Sequence, residues 1–233
     1  MSEVFFTGPA GRLESRFHRS ENPRAPLVLI CPASPLNGET MNSRLSYTLF
    51  QAFVSMGFSV MRFNYRGVGK SEGTPDGTSV GEVADGIAAL EYLQNMDFEM
   101  NTCWLAGWDF GAYVAAQVLM RRPEVRGFAF VAPPLNQYNF DFLTPCPASG
   151  LIVQGQKDEV VNEPEVALLA EQLSQHKLIS IIYQLMPKAD HLFTTTLRQL
   201  YDTLLENVPL VQVNKGKKVL KKARNAILPN DDY

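Results

Sequence analysis

The 233-residue sequence predicts an α/β fold, a mostly parallel central sheet with helices on both faces. Three observations carry this expectation. Short apolar, β-rich runs alternate with stretches of helical periodicity. Several of those runs are apolar at nearly every position, as strands buried on both faces are. A chain of this length, with 45% hydrophobic and 19% charged residues, can also bury one sizeable core.

The elements follow in order. Residues 4–7 and 13–18 read as an opening antiparallel pair, and 26–30 as the first fully apolar strand. A helix near 44–56 closes at Gly57, where a residue without a Cβ lets the chain turn left-handed. Residues 59–64 form the next strand, 80–96 an amphipathic helix, 102–106 a strand and 110–121 a helix. Strands at 128–132, 150–154 and 180–185 complete the series, with helices near 163–175 and after His191. Alternation of this kind gives parallel strands joined by crossover helices. Reactive residues then gather beyond the carboxyl ends of the strands.

Residues 1–207 read as a single domain and 208–233 as a basic tail, in which Lys215, Lys217, Lys218, Lys221, Lys222 and Arg224 cluster. Such a run reads first as a solvated tail or a weak helix packed by Val219 and Leu220 on the body or a second subunit, so homo-oligomerisation stays open. An arm for an acidic partner is the alternative. The net charge of −3 argues against nucleic acid as the main partner of the globular part. No apolar run is long enough to span a bilayer, and the first residues lack the charged and apolar regions of a signal peptide, so a soluble, cytoplasmic protein without membrane association is expected. Cys31, Cys103 and Cys146 are odd in number and widely spaced, suggesting neither a disulfide framework nor a zinc site. Cys103 and Cys146 read as small buried apolar residues. Gly67-Val68-Gly69-Lys70-Ser71 superficially resembles the end of a phosphate-binding loop, but the first glycine of that motif would fall at Asn64, inside a strand.

The most informative segment is Gly107-Trp108-Asp109-Phe110-Gly111-Ala112. A strand leads in, a helix leads out, and small residues flank the centre, which is the setting of a nucleophile elbow, G-x-S-x-G, with aspartate in the serine position. Asp158 lies just past one predicted strand and His191 just past the last, giving the chain order nucleophile position, acid, histidine. In that division of labour the acid orients the imidazole and the histidine moves the proton. The competing reading of Asp109 is a helix N-cap accepting from the N–H of Gly111 or Ala112. His18 and His176 read as surface histidines, and Arg66 as the partner of a nearby carboxylate.

Two phrases carry a family resemblance, Phe63-Asn64-Tyr65-Arg66-Gly67-Val68-Gly69-Lys70-Ser71-Glu72-Gly73 and Gly107-Trp108-Asp109-Phe110-Gly111-Ala112. The chain resembles the small, cap-less α/β-hydrolases related to dienelactone hydrolases and bacterial serine esterases and peptidases. Its resemblance is strongest to a bacterial subgroup with F-N-F-R-G-V-G-x-S-x-G and G-Y-S-F-G-A. The resemblance implies an α/β-hydrolase fold without a cap domain, Asp109 at the nucleophile, Asp158 at the acid and His191 at the base. It further implies one oxyanion-hole N–H from Phe110 and another from the loop after Ile30, where Ala33 and Ser34 are the candidates. No metal or organic cofactor is implied, and the partner is a small-molecule substrate. Two departures stand out: Cys31-Pro32-Ala33-Ser34-Pro35 replaces the subgroup's H-P-H-P, and aspartate replaces serine. A hydrolase with an Asp-His-Asp constellation is the expected function, and a non-catalytic binding or scaffold protein on the same fold is the alternative.

Overall fold

The computed structural model describes residues 2–75, 78–96, 102–176 and 178–213. Among them eight strands form one sheet: β1 (Ser2–Gly8), β2 (Gly11–His18), β3 (Leu27–Cys31), β4 (Ser59–Phe63), β5 (Cys103–Trp108), β6 (Val125–Val131), β7 (Ser149–Gly155) and β8 (Ile181–Met186). The spatial order is β1-β2-β4-β3-β5-β6-β7-β8. The β1–β2 hairpin is antiparallel and joins β4 antiparallel; every pairing from β4 to β8 is parallel. Five α-helices complete the fold: α1 (Arg44–Ser55), α2 (Val80–Gln94), α3 (Phe110–Arg121), α4 (Glu163–Ser174) and α5 (Leu197–Val213).

The strand alternation sorts the core into two apolar layers. Leu27, Leu29, Leu105, Phe128 and Phe130 face the side covered by α2, α3 and α4. Val28, Ile30, Ala106, Ala129 and Val131 face α1 and α5. Strands β3, β4 and β5 are buried at every residue, the apolar run of β3 as expected and β4 including its polar Ser59 and Arg62. Full burial of each large side chain contributes about 1.5–3 kcal/mol. The α/β fold expected from the sequence is therefore present, and residues 132–148 hold only a 3-10 turn at Asp141–Leu143 rather than an inserted cap.

Boundaries differ where tertiary pairing outweighs local signals. β5 continues through Gly107 to Trp108 because Gly107 is paired on both sides, with Cys31 and with Phe130. β6 begins at Val125 rather than 128 and runs through Gly127, a residue that weakens a strand read in isolation. α5 extends past residue 207 to Val213 despite Pro209, with Val208 and Val211 buried in the core. The packed body thus reaches beyond the expected domain boundary, and the basic cluster from Lys215 onward lies outside the described residues. His18 is half-buried on β2, edge-on to Phe50, rather than a surface histidine, whereas His176 is exposed.

The loop after β4 is pinned by buried charge. Arg66 grips Asp85 of α2 with Nε and Nη2, at 3.0 and 2.7 Å, and its backbone N–H adds a third bond to the same carboxylate. Nη2 also donates to the Gly81 carbonyl, and the Asp85 side chain is wholly buried. Removing one member leaves the other buried without its counter-charge, at a cost of about 3–5 kcal/mol. Asp85→Ala is expected to lose that amount of stability in urea melts monitored by circular dichroism, and a loss under about 1 kcal/mol would contradict the assignment.

Candidate active site

Three chain segments meet beyond the carboxyl ends of β5, β7 and β8. The first is the turn between β5 and α3. A Cβ on Gly107 would run into the Gly111 carbonyl, and one on Gly111 into the carbonyls of Cys31 and Pro32. Only hydrogen at both positions lets α3 start directly over β5 and against the loop after β3. Asp109 is held at this crossing with φ 48° and ψ −129°, a conformation that costs a residue with a Cβ about 1–3 kcal/mol. Its N–H donates to the Val131 carbonyl at 3.0 Å, and its carbonyl accepts from the Ala112 N–H at 2.8 Å.

The Asp109 carboxylate accepts no capping hydrogen bond from the Gly111 or Ala112 N–H, although the Phe110 N–H bears on it. The N-cap reading is therefore not borne out: at φ 48° and ψ −129° the side chain is bonded to neither N–H. Ala132, Lys188 and Phe193 also have positive φ, and each follows the carboxyl end of a parallel strand, so backbone strain collects around this end of the sheet.

The second and third segments supply Asp158 and His191. Lys157 N–H donates to the Ala189 carbonyl at 2.8 Å and Gln156 N–H to the Met186 carbonyl at 2.9 Å, stitching the two loops together. One Asp158 oxygen accepts from the N–H groups of Val160 and Val161, at 2.9 and 2.8 Å. The other meets Gln154 Nε2 and His191 Nδ1, both at 2.9 Å. A carboxylate accepting at both oxygens is ionised. The proton of the histidine is therefore on Nδ1, leaving Nε2 as the free basic nitrogen. Nε2 lies 3.7 Å from Asp109 Oδ1. The three predicted residues are thus brought together in the expected order.

Burial pushes the Asp109 pKa up, with the Phe110 N–H and His191 pulling the other way. For Asp158 burial opposes ionisation, but the His191 and backbone hydrogen bonds outweigh it and hold the carboxyl below its ordinary range. Burial likewise disfavours charged His191, yet the Asp158 bond and the surrounding carboxylates prevail and its pKa is raised. The side chains of Asp109 and His191 keep 11% and 14% of their surface exposed, so neither is sealed from solvent. A cleft of about 620 Å³ has His191 in its wall and is otherwise lined by Lys157, Glu159, Val160, Lys188, Asp190 and Leu192. Asp109 is not part of that lining.

Of the oxyanion candidates, Phe110 begins α3 and its N–H bears on the Asp109 carboxylate. Ala33 is fully buried, in the loop whose Pro32 carbonyl accepts the Tyr65 hydroxyl at 3.1 Å. Ser34 turns outward to cap the 3-10 turn Pro35–Asn37, its Oγ accepting from the Leu36 N–H. Cys31, although nearby, is no rival nucleophile: burial pushes its thiol up to about 12. Cys103 and Cys146 are buried as well. Among the described residues no group of three or more histidine, cysteine or acidic side chains could hold a metal ion, and no helix is long and apolar enough to cross a membrane.

Sequence reasoning missed the supporting residues. Gln154 is the one polar side chain in an otherwise apolar stretch of β7, a signal that was legible, and it braces Asp158. Trp108 lies with its ring 6.4 Å from the His191 ring and donates from Nε1 to Ser46 Oγ on α1, a pairing across 62 residues that no local pattern reveals.

The chain belongs to the α/β-hydrolase fold family, whose model matches residues 26–177. It is 40% identical over 197 residues to an uncharacterised protein of Rickettsia prowazekii, an alignment covering 83% of this chain and 82% of that one. A crystal structure of an Agrobacterium tumefaciens protein of unknown function, assigned provisionally to the α/β hydrolases, matches with a TM-score of 0.88 and 39% identity over 94% of this chain and all of that one. An α/β serine hydrolase homologue from Coxiella burnetii matches with a TM-score of 0.81 at 36% identity, covering 89% of this chain and 97% of the other. A lid-less α/β serine hydrolase from Xanthomonas campestris gives 0.80 at 28% identity, over 90% and 94% of the two chains.

The raised pKa of His191 makes a direct prediction. Charged His191 is favoured in the fold, so this coupling stabilises the protein fully below the unfolded value of about 6.5 and fades as pH rises through the higher folded value. NMR titration of the imidazole should give a midpoint above 6.5, and Asp158→Asn should bring it down. A midpoint unmoved by that substitution would contradict the pairing.

Proposed function

We propose that this protein is a hydrolase acting on a small molecule, with Asp109 as a covalent nucleophile at a nucleophile elbow, His191 as general base and Asp158 as the group that orients His191. The observation that carries the reading is the Asp109 carboxylate, free of a capping role, 3.7 Å from the Nε2 of a histidine whose Nδ1 is bonded to Asp158.

A carboxylate restricts the chemistry. Attack on an ester or peptide carbonyl would form an anhydride more reactive than the substrate, so that route does not divide one hard step into two easier ones. Attack on a saturated carbon does. An Asp109 oxygen bonds to the carbon while a halide or epoxide oxygen leaves, giving an alkyl ester on the protein. His191 Nε2 then takes a proton from water. The hydroxide attacks the Asp109 carbonyl carbon, the alcohol departs with the proton held by His191, and the Asp109 carboxyl loses its remaining proton to solvent, which restores the carboxylate. Charge on the carbonyl oxygen during this step is met by the Phe110 N–H, with Ala33 or Ser34 as second donor. The serine-hydrolase relatives supply the scaffold for this reading, and the aspartate separates this chain's chemistry from theirs.

A second reading, a binding protein on a hydrolase scaffold, draws on the cleft beside His191 being lined without Asp109. A small-molecule partner and a cytoplasmic location belong to the enzymatic proposal.

Mass spectrometry of intact protein separates the two. After incubation with epoxides and halogenated compounds, His191→Gln should accumulate an ester on Asp109 that the native protein clears, with turnover lowered by about 10²–10⁴-fold. Turnover by the native protein should rise with pH through a His191 pKa above 6.5, because the base acts neutral. An absence of adducts across a broad panel would favour the binding reading. Asp109→Ser should gain cleavage of p-nitrophenyl esters; a folded variant without it would show that the oxyanion loop after Cys31 is inactive.

A further inference from the structure

The imidazole of His191 stands between two carboxylates. Its Nδ1 is 2.9 Å from Asp158 Oδ2 and its Nε2 is 3.7 Å from Asp109 Oδ1. Asp190, its neighbour in the chain, adds a third negative charge, and the other charged groups beside the ring are Lys157, Glu159 and Lys188 in the cleft wall. Carboxylates on both nitrogens favour the imidazolium, and an imidazolium cannot take a proton from water. A serine at the elbow would place no charge at Nε2. With aspartate there, a histidine that is to act as a base needs a counterweight.

Gln154 is positioned to supply one. It lies on β7, between β6 and β8, with none of its surface exposed. Its Nε2 donates at 2.9 Å to Asp158 Oδ2, the same oxygen that meets His191 Nδ1. Donors that share an oxygen compete for its charge, so the amide weakens Asp158 as a partner of the imidazolium. The remaining contacts of Nε2, with the carbonyls of Gly155 and Val161, are both 3.5 Å long. Gln154 Oε1 is buried and has no hydrogen-bond partner among the described residues. An amide with an orphaned carbonyl is a costly way to fill an apolar layer, where a methionine would leave nothing unsatisfied. What distinguishes glutamine at this position is therefore its N–H on Asp158.

We propose that Gln154 is a positioning residue that limits the hold of Asp158 on the His191 proton, so that an imidazole facing carboxylates on both nitrogens can return to its neutral form. The inference rests on the role proposed for His191 as general base. The two oxygens of Asp158 have separate tasks. Oδ1, bonded to the N–H groups of Val160 and Val161, fixes where the carboxylate lies. Oδ2, shared between Gln154 and His191, sets how strongly it draws on the ring.

NMR titration of the imidazole needs no substrate, so it tests this inference separately from the chemistry of Asp109. Gln154→Met should raise the His191 midpoint by about half a pH unit or more, with melting temperature as a fold control. Introduced into Asp158→Asn, the same substitution should leave the midpoint where Asp158→Asn alone puts it, because the carboxylate through which Gln154 acts is gone. A midpoint unmoved or lowered by Gln154→Met would overturn the inference. An equal rise in the Asp158→Asn background would also overturn it, since the effect would then be one of local burial. In the unsubstituted protein the Gln154 Nε2 proton on Asp158 should move downfield as His191 loses its charge, because one bond to a shared oxygen strengthens when the other weakens. A proton that stays still or moves upfield would overturn the inference without recourse to any variant. Absence of an ester on Asp109 would overturn the covalent reading and leave these titrations unaffected.

Discussion

Everything at the carboxyl end of the sheet depends on one steric constraint, the passage of α3 across β5 and the loop after β3 with no side chain between them. Gly107 and Gly111 make that contact, backbone against backbone. It forces the chain through a sharp turn, and the turn puts Asp109 into left-handed backbone. The strain of about 1–3 kcal/mol is offset by the paired strands on either side and by the buried face of α3. Without this crossing the carboxylate would have no fixed position relative to His191.

Charge then completes what the backbone begins. Asp158 accepts four hydrogen bonds, from Val160, Val161, Gln154 and His191, and so acts as an immobile anion under the imidazole. The effects on the three pKa values diverge: Asp158 is lowered while Asp109 and His191 are raised. Two carboxylates on one ring thus occupy different environments, one saturated with donors and one largely desolvated. Such a separation is consistent with the roles proposed above, an orienting part for the first and a reactive one for the second.

Much of the fold was legible because its signals are local. A fully apolar run marked β3, the flanking small residues marked the turn at Asp109, and the order Asp109, Asp158, His191 followed from where each strand ends. What escaped was decided by partners distant in sequence. Gly127 reads as a breaker until its neighbours β5 and β7 are in place, and α5 passes Pro209 because Val208 and Val211 are drawn into the core. The capping role considered for Asp109 failed for a related reason: propensity sees a helix start, whereas the capping geometry depends on φ and ψ values imposed by the crossing. Gln154 and Trp108 support the site through contacts spanning four and sixty-two residues, and only the first sits in a local pattern that singles it out.

The bend that presents Asp109 is held by main-chain atoms alone: the Asp109 N–H on the Val131 carbonyl, the Asp109 carbonyl on the Ala112 N–H, and glycine on each flank. Its scaffold is therefore indifferent to the functional group it displays. Under the covalent role proposed for Asp109, exchange of hydroxyl for carboxyl at that point would redirect reactivity from acyl carbon toward alkyl carbon while leaving the architecture untouched, so that within such a lineage a single codon would divide one repertoire of substrates from another.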